Sequence, residues 1–156
     1  MVSFQPMSGS DFSGYLSYFL ADYAEEIAAN YGLAPEAALA QAKHEITVSL
    51  PQGENTPGQQ LMSIIWQDKE AQQQVGYLWY SPDFSAKSAF IYDFYLFTAH
   101  RNKGLGRKAL QQLEQLLAAQ GYSQIKLRVA AGNDRAKRVY EANGFKVTGF
   151  NMNKLL

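Results

Sequence analysis

Two glycines set between an apolar run and an amphipathic one mark the most chemically suggestive stretch of the chain, Arg101-Asn102-Lys103-Gly104-Leu105-Gly106. Glycine lets a backbone approach a ligand closely. The first turn of a following helix leaves its N–H groups without intrahelical partners, and the helix dipole favours negative charge there. Arg101, Lys103, Arg107 and Lys108 surround the loop with cations. The chemistry implied is capture of a phosphate or pyrophosphate. A Walker A loop needs four residues between its glycines followed by Gly-Lys-Ser/Thr, and that is absent. Gly104-Leu105-Gly106-Arg107-Lys108-Ala109 does fit the dinucleotide pattern G-x-G-x-x-A. That pattern expects an acid about 20 residues on, at the end of the next strand, and Gln124 to Val129 has none. Arg128 facing a 2′-phosphate keeps the dinucleotide reading open, as does the plainer reading of an ordinary glycine-rich turn.

Other residues carry chemistry singly. Asp93 interrupts an otherwise apolar run, Phe90 to Phe97. A carboxylate in a buried strand is costly unless it is paired or functional, so Asp93 is a candidate general base or the structural partner of an Arg or Lys. Asn133 reads as a helix N-cap. His100 reads as a surface loop residue, and His44 and Glu45 as one solvated helix face. Tyr15, Tyr18, Tyr23 and Tyr31 accompany Asp22, Glu25 and Glu26. Together these suit a cationic amine, or the tyrosines are simply core. The chain has no cysteine, which rules out a disulfide framework, a Cys-ligated zinc site and a cysteine nucleophile. No metal site is expected.

These residues must be positioned by a mixed α/β (α+β) chain. Residues 3–7 read as a short strand. Phe12, Leu16, Phe19, Leu20, Tyr23 and Ile27 fall at helical spacing from Asp11 to Tyr31, with Ser10 or Asp11 as N-cap and Gly32 as the stop. Pro35 sits at the N1 position of a second helix that Pro51 ends. After a polar loop over residues 51–60, Leu61 to Trp66, Val75 to Tyr80 and Ala89 to Phe97 read as strands, with a turn at Ser81-Pro82-Asp83. Leu105, Ala109, Leu110, Leu113, Leu116 and Leu117 define a helix face closed by Gly121. Gln124 to Val129 alternates as a strand, and Asn133 opens a helix that Gly144 ends. Phe145, Val147, Phe150 and Met152 suggest one or two closing strands. The strand–helix–strand unit over residues 90–129 requires a right-handed parallel crossover. The remainder reads as antiparallel, giving a sheet of six to seven strands flanked by about four helices.

The length of 156 residues favours one domain. Fourteen basic and fourteen acidic residues give a formal charge of zero, which disfavours nucleic acid as a partner. The basic residues cluster at 101–108 and 126–138, as suits a discrete anionic ligand. No signal peptide and no run of about 20 apolar residues is visible, so no membrane partner and a cytoplasmic location are expected.

Arg101-x-x-Gly104-x-Gly106 resembles motif A (Q/R-x-x-G-x-G/A) of the Gcn5-related N-acetyltransferases, the GNAT superfamily. Asn133-Asp134-Arg135-Ala136-Lys137-Arg138-Val139-Tyr140-Glu141-Ala142-Asn143-Gly144-Phe145 resembles its motif B, N-x-x-A-x-x-x-Y-E-x-x-G-F. One helix and one strand separate the two, and Asn151 to Lys154 is similar to the family's closing strand. Ile91-Tyr92-Asp93 is similar to a triplet in small bacterial single-domain members. The resemblance is tight over residues 90–156, the cofactor-binding core; residues 1–60 match in element order only, as the acceptor side. It implies acetyl-CoA as cosubstrate, with an amine acceptor, small molecule or peptide, attacking directly. It places the pyrophosphate on the backbone of Arg101, Asn102, Lys103, Gly104, Leu105, Gly106 and Arg107. Leu96, Phe97 and Thr98 would lie along pantetheine, with the amide near Leu96 polarising the thioester where its strand splays from the one ending at Val129. Asn133 would lie beside the pantetheine, and Tyr140 would protonate the leaving thiolate. A homodimer through the C-terminal strands is a further expectation. A CoA sensor or scaffold that has lost turnover is the alternative.

Overall fold

A computed structural model describes residues 1–156. The elements in order are β1 (Val2–Pro6), α1 (Gly9–Tyr31), α2 (Pro35–Ser49), β2 (Gln60–Gln67), β3 (Gln72–Asp83), β4 (Ser88–Leu96), α3 (Leu105–Ala119), β5 (Gln124–Leu127) and α4 (Asp134–Ala142). They build one five-stranded sheet in the order β1-β2-β3-β4-β5. The first three pairings are antiparallel and β4–β5 is parallel. The mixed sheet and the four helices follow the expectation, while the strand count falls short of six to seven. Residues 145–156 form no regular strand, and Phe150 and Met152 are largely exposed. Their apolar alternation therefore finds no ladder on β5.

Local chemistry explains most boundaries. Ser8, rather than Ser10 or Asp11, caps α1: its hydroxyl accepts from the Asp11 N–H, and the Asp11 carboxylate accepts from the Ser8 N–H. This reciprocal pair is a capping box. Gly32 ends α1 in the left-handed conformation, at φ 64°. Pro35 opens α2. The expected turn at Ser81-Pro82-Asp83 lies instead within β3, where Pro82 pairs with Ala89 near the strand end, and the chain reverses over Phe84 to Lys87.

The sheet has two differently used faces. On one, Ile64, Leu78 and Ile91 pack with Leu105, Ala109, Leu110, Leu113 and Leu117 of α3. On the other, Trp79 and Leu61 pack with Tyr15 of α1 and Ile46 of α2. Two irregularities in the ladders aim the strands. The β3–β4 register jumps from Trp79↔Asp93 to Tyr80↔Ile91, leaving Tyr92 as an extra residue in β4. Such a bulge bends its strand and increases the local twist. The parallel β4–β5 ladder runs only from Ser88↔Gln124 to Ile91↔Leu127 and stops just before the bulge. From Tyr92 to Leu96, β4 has no partner on that side.

Candidate active site

Residues directly opposite in a ladder share a face. Ile91 sits opposite Tyr80 in the α3-side core, whereas Asp93 sits opposite Trp79 on the α1 and α2 side. Two residues apart in a regular strand, Ile91 and Asp93 would share a face. The bulge at Tyr92 sends Asp93 to the other one, under α1. There the Tyr15 hydroxyl donates to Asp93 Oδ2 at 3.0 Å, and the Tyr18 hydroxyl donates to Oδ2 at 3.2 Å and lies 3.3 Å from Oδ1. Burial pushes the Asp93 carboxyl up to about 7, against the lowering effect of the two tyrosine hydroxyls and with a further rise from Asp22. The alternative of a structural partner to an Arg or Lys finds no such cation, and the partners are two neutral donors.

An aromatic wall continues from this pair. Tyr18 stacks on Tyr95 at 3.8 Å between centroids, and Tyr77 meets Tyr15 at 5.0 Å and Phe97 at 5.2 Å. Tyr77 and Tyr95 face each other across β3 and β4. The first-helix tyrosines divide by role: Tyr15 is fully buried, Tyr18 and Tyr23 are part-buried, and Tyr31 is exposed. Tyr77 and Tyr95 carry no functional signal in the sequence, where their pattern is that of ordinary sheet aromatics.

At the end of β4 the backbone supplies the next feature. The Phe97 N–H donates to the Val75 carbonyl at 2.9 Å, and Leu96 lies opposite Gly76. This marks Leu96–Gly76 as a non-hydrogen-bonded pair, so the Leu96 N–H and C=O point away from β3. The Leu96 carbonyl accepts from Arg101 Nε at 2.9 Å, and the Arg101 guanidinium lies 5.0 Å from the Tyr95 ring centre. The Leu96 amide thus faces the side from which β5 has departed. Phe97 and Thr98 differ from Leu96: the Phe97 amide is engaged by β3, and Thr98 opens a short 3-10 turn that ends at His100.

After the 3-10 turn comes the glycine loop that leads into α3. Gly104 is the N-cap of α3 at φ 77°, and Asn102 is also left-handed at φ 61°. The first backbone bond into α3 runs from the Lys108 N–H to the Gly104 carbonyl. The N–H groups of residues 102–107 donate to no protein acceptor. A side chain at Gly106 would touch Leu96 Cδ1 at 3.4 Å, so this glycine seats α3 close against β4. Leu105 is buried and anchors the loop, while Asn102, Lys103, Gly104 and Arg107 are exposed. A row of free amides at a helix start is the donor set that a pyrophosphate requires.

Asn133 caps α4, its Oδ1 accepting from the Ala136 N–H at 3.1 Å. Tyr140 packs against Phe145 at 5.5 Å and onto the α3-side core. Burial, then the Asp93 charge, push the Tyr140 hydroxyl well above its usual range. Beyond β5, Arg128 pairs with Glu26 of α1 at 3.4 Å. His44 is exposed on α2, and His100 closes the 3-10 turn before the loop. Gly106 of the loop packs against Leu96, and the Asp93 charge acts on Tyr140, while His44 and Tyr31 lie at the surface.

The chain and its fold have counterparts among known proteins. The family model for the GNAT acetyltransferases matches residues 39–145. The chain is 36% identical to YycN, named an uncharacterized N-acetyltransferase of Bacillus subtilis (strain 168), over 99% of both chains. It is 25% identical to YdgE of the same organism, likewise named an uncharacterized N-acetyltransferase, over 97% of this chain and 96% of that one. The crystal structure of YycN superposes with a TM-score of 0.90 and covers 100% of this chain and 99% of its own. PaiA N-acetyltransferase from Thermoplasma acidophilum, solved in complex with coenzyme A, shares the fold at 17% identity and a TM-score of 0.68, with 97% and 93% of the two chains covered. The chain belongs to the GNAT acetyltransferase family.

Proposed function

We propose that this protein transfers an acetyl group from acetyl-CoA to a primary amine by direct attack within a ternary complex. The observation that carries this reading is the row of free N–H groups over residues 102–107, at a loop whose Gly106 packs against Leu96 at the end of β4, where β4 has no partner strand on the β5 side. The loop amides would take the pyrophosphate. The Leu96 N–H would donate to the thioester oxygen, where negative charge grows as the amine adds. Asn133, at the start of α4, would border the pantetheine arm.

A primary amine with a pKa near ~10 is mostly protonated at neutral pH, so attack needs a proton acceptor. Asp93 fills that role: it takes the ammonium proton, the free amine forms its bond to the carbonyl carbon, and the carbon–sulfur bond breaks. Tyr140 gives its proton to the departing thiolate and is reprotonated from the new amide nitrogen through solvent. The Asp93 charge contributes to its raised pKa, so neutralising Asp93 with the amine proton makes the Tyr140 hydroxyl a better donor as the thiolate forms. Phosphate capture by the loop and proton acceptance by Asp93 belong to one domain spanning residues 1–156, working in the cytoplasm. The exposed apolar tail, Phe150, Met152, Leu155 and Leu156, supports its assembly as a homodimer.

Thermal unfolding with acetyl-CoA, CoA, ATP and NADPH tests the donor. A ligand at 100 times its Kd adds about 2.7 kcal/mol to stability, so a shift with both CoA species is expected. No shift with either defeats the reading. Thiol release with a panel of primary amines then separates an enzyme from a CoA-binding sensor, which would show the shift without release.

A further inference from the structure

Tyr15 and Tyr18 lie three residues apart on α1, on one helical face. Both direct their hydroxyls at Asp93, more than seventy residues away along the chain. Tyr15 is fully buried and has no other hydrogen-bond partner. Tyr18 is braced from behind by its stacking on Tyr95 and, at 5.9 Å, on Tyr77.

We infer that Tyr15 and Tyr18 are positioning residues for proton transfer: a clamp of two hydroxyl donors that holds Asp93 in one orientation as an ionised proton acceptor. This rests on the reading of Asp93 as the group that takes the amine proton.

Both hydroxyls donate to Oδ2, and Tyr18 also lies 3.3 Å from Oδ1, so two donors fix the carboxylate while Oδ1 keeps lone pairs for an incoming proton. The choice of donor matters as much as the number. A guanidinium or ammonium at this distance would hold the carboxyl well below neutrality and leave it a weak base. Neither ion pair of the chain, Arg128–Glu26 or Lys137–Glu141, involves Asp93. Neutral hydroxyls offset part of the burial cost and leave proton affinity near neutral pH, where a general base works best. The surrounding titratable groups are Tyr15, Tyr18 and Asp22 from α1, Tyr77 from β3, Tyr95 from β4 and Tyr140 from α4. Arg101 acts on Asp22 and partly offsets the charge that Asp22 exerts. Burial and the Asp93 charge raise both clamp hydroxyls far above their usual range, so they remain donors throughout the cycle. In the transfer, an amine N–H bond breaks and an Asp93 O–H bond forms, while the tyrosine protons stay where they are.

The experiment is a carbon-13 NMR titration of the full chain with labelled aspartate carboxyls, the Asp93 signal being assigned by its loss in Asp93→Asn. Tyr15→Phe and Tyr18→Phe should each move the Asp93 midpoint upward by about one pH unit, a roughly tenfold rise in proton affinity, and the double variant further. Tyr18 is part-exposed, so Tyr18→Phe keeps the test available if Tyr15→Phe folds poorly. An unchanged midpoint in Tyr18→Phe overturns the clamp. Thiol release by Asp93→Asn decides the underlying reading independently: undiminished release removes Asp93 as the base, whatever the titration of its neighbours shows.

Discussion

Phenylalanine at position 140 would keep the ring that packs against Phe145 and remove only the hydroxyl. Tyr140→Phe should therefore lower kcat by roughly 10²-fold, the lower range for a lost general acid, with acetyl-CoA affinity nearly unchanged. Stopped turnover assays beside a binding titration check this, and unaltered kcat removes Tyr140 as the acid. Tyr140 was legible only through the surrounding Asn133 to Phe145 pattern, since a tyrosine on an amphipathic helix is more simply core. Asp93 was legible for a different reason: a lone carboxylate in an apolar strand announces itself. Its partners were not. The alternative of an Arg or Lys partner came from charge pairing, whereas the structure supplies hydroxyls from the first helix. No local pattern links Tyr15 and Tyr18 to a strand so far along the chain.

Elements place these residues through details finer than periodicity. A side chain on Gly76 would collide with the Tyr95 carbonyl, because β3 and β4 approach closely at Gly76↔Leu96. That collision bears on the Leu96 amide proposed to meet the thioester. Gly76→Ala should displace the end of β4, reduce kcat/KM for acetyl-CoA by at least tenfold and lower Tm by several degrees. Steady-state kinetics and thermal unfolding of the variant measure both, and a fully active, equally stable variant would show that β4 yields without loss. The helices and the parallel crossover followed from capping residues, Pro35 and the leucine face of α3. The ladder irregularities did not, because a bulge depends on which strands pair and in what register. The expected closing strands illustrate the same limit: residues 145–152 alternate as a strand would, yet alternation does not supply a partner edge.

For the whole molecule, Asp93 has a thermodynamic cost. Its carboxyl rises from 3.8 to about 7 on folding. Between those values the folded chain holds a proton that the unfolded chain releases, so stability falls as pH rises through that window. The contribution is on the order of a few kcal/mol at most. Asp93→Asn should be more stable than the parent above about pH 7 and nearly equal to it near pH 4. Denaturant unfolding at both pH values reads the difference, and an equal gap at both would place the pH dependence elsewhere. That loss of stability is the kind of cost that the proposed role of Asp93 as a proton acceptor would carry. The extra residue in β4 has a geometric consequence of its own. A chain one residue shorter, lacking Tyr92, would restore an even pleat and still leave Ile91 and Asp93 on opposite faces. Every inventory of inward and outward side chains would read the same for the two chains. The shorter one would lose the bend at which β4 parts from β5, and with it the cleft. The proposed capacity to admit a long, flexible ligand would in this sense be written in the count of residues between two ladder pairs rather than in the identity of any of them.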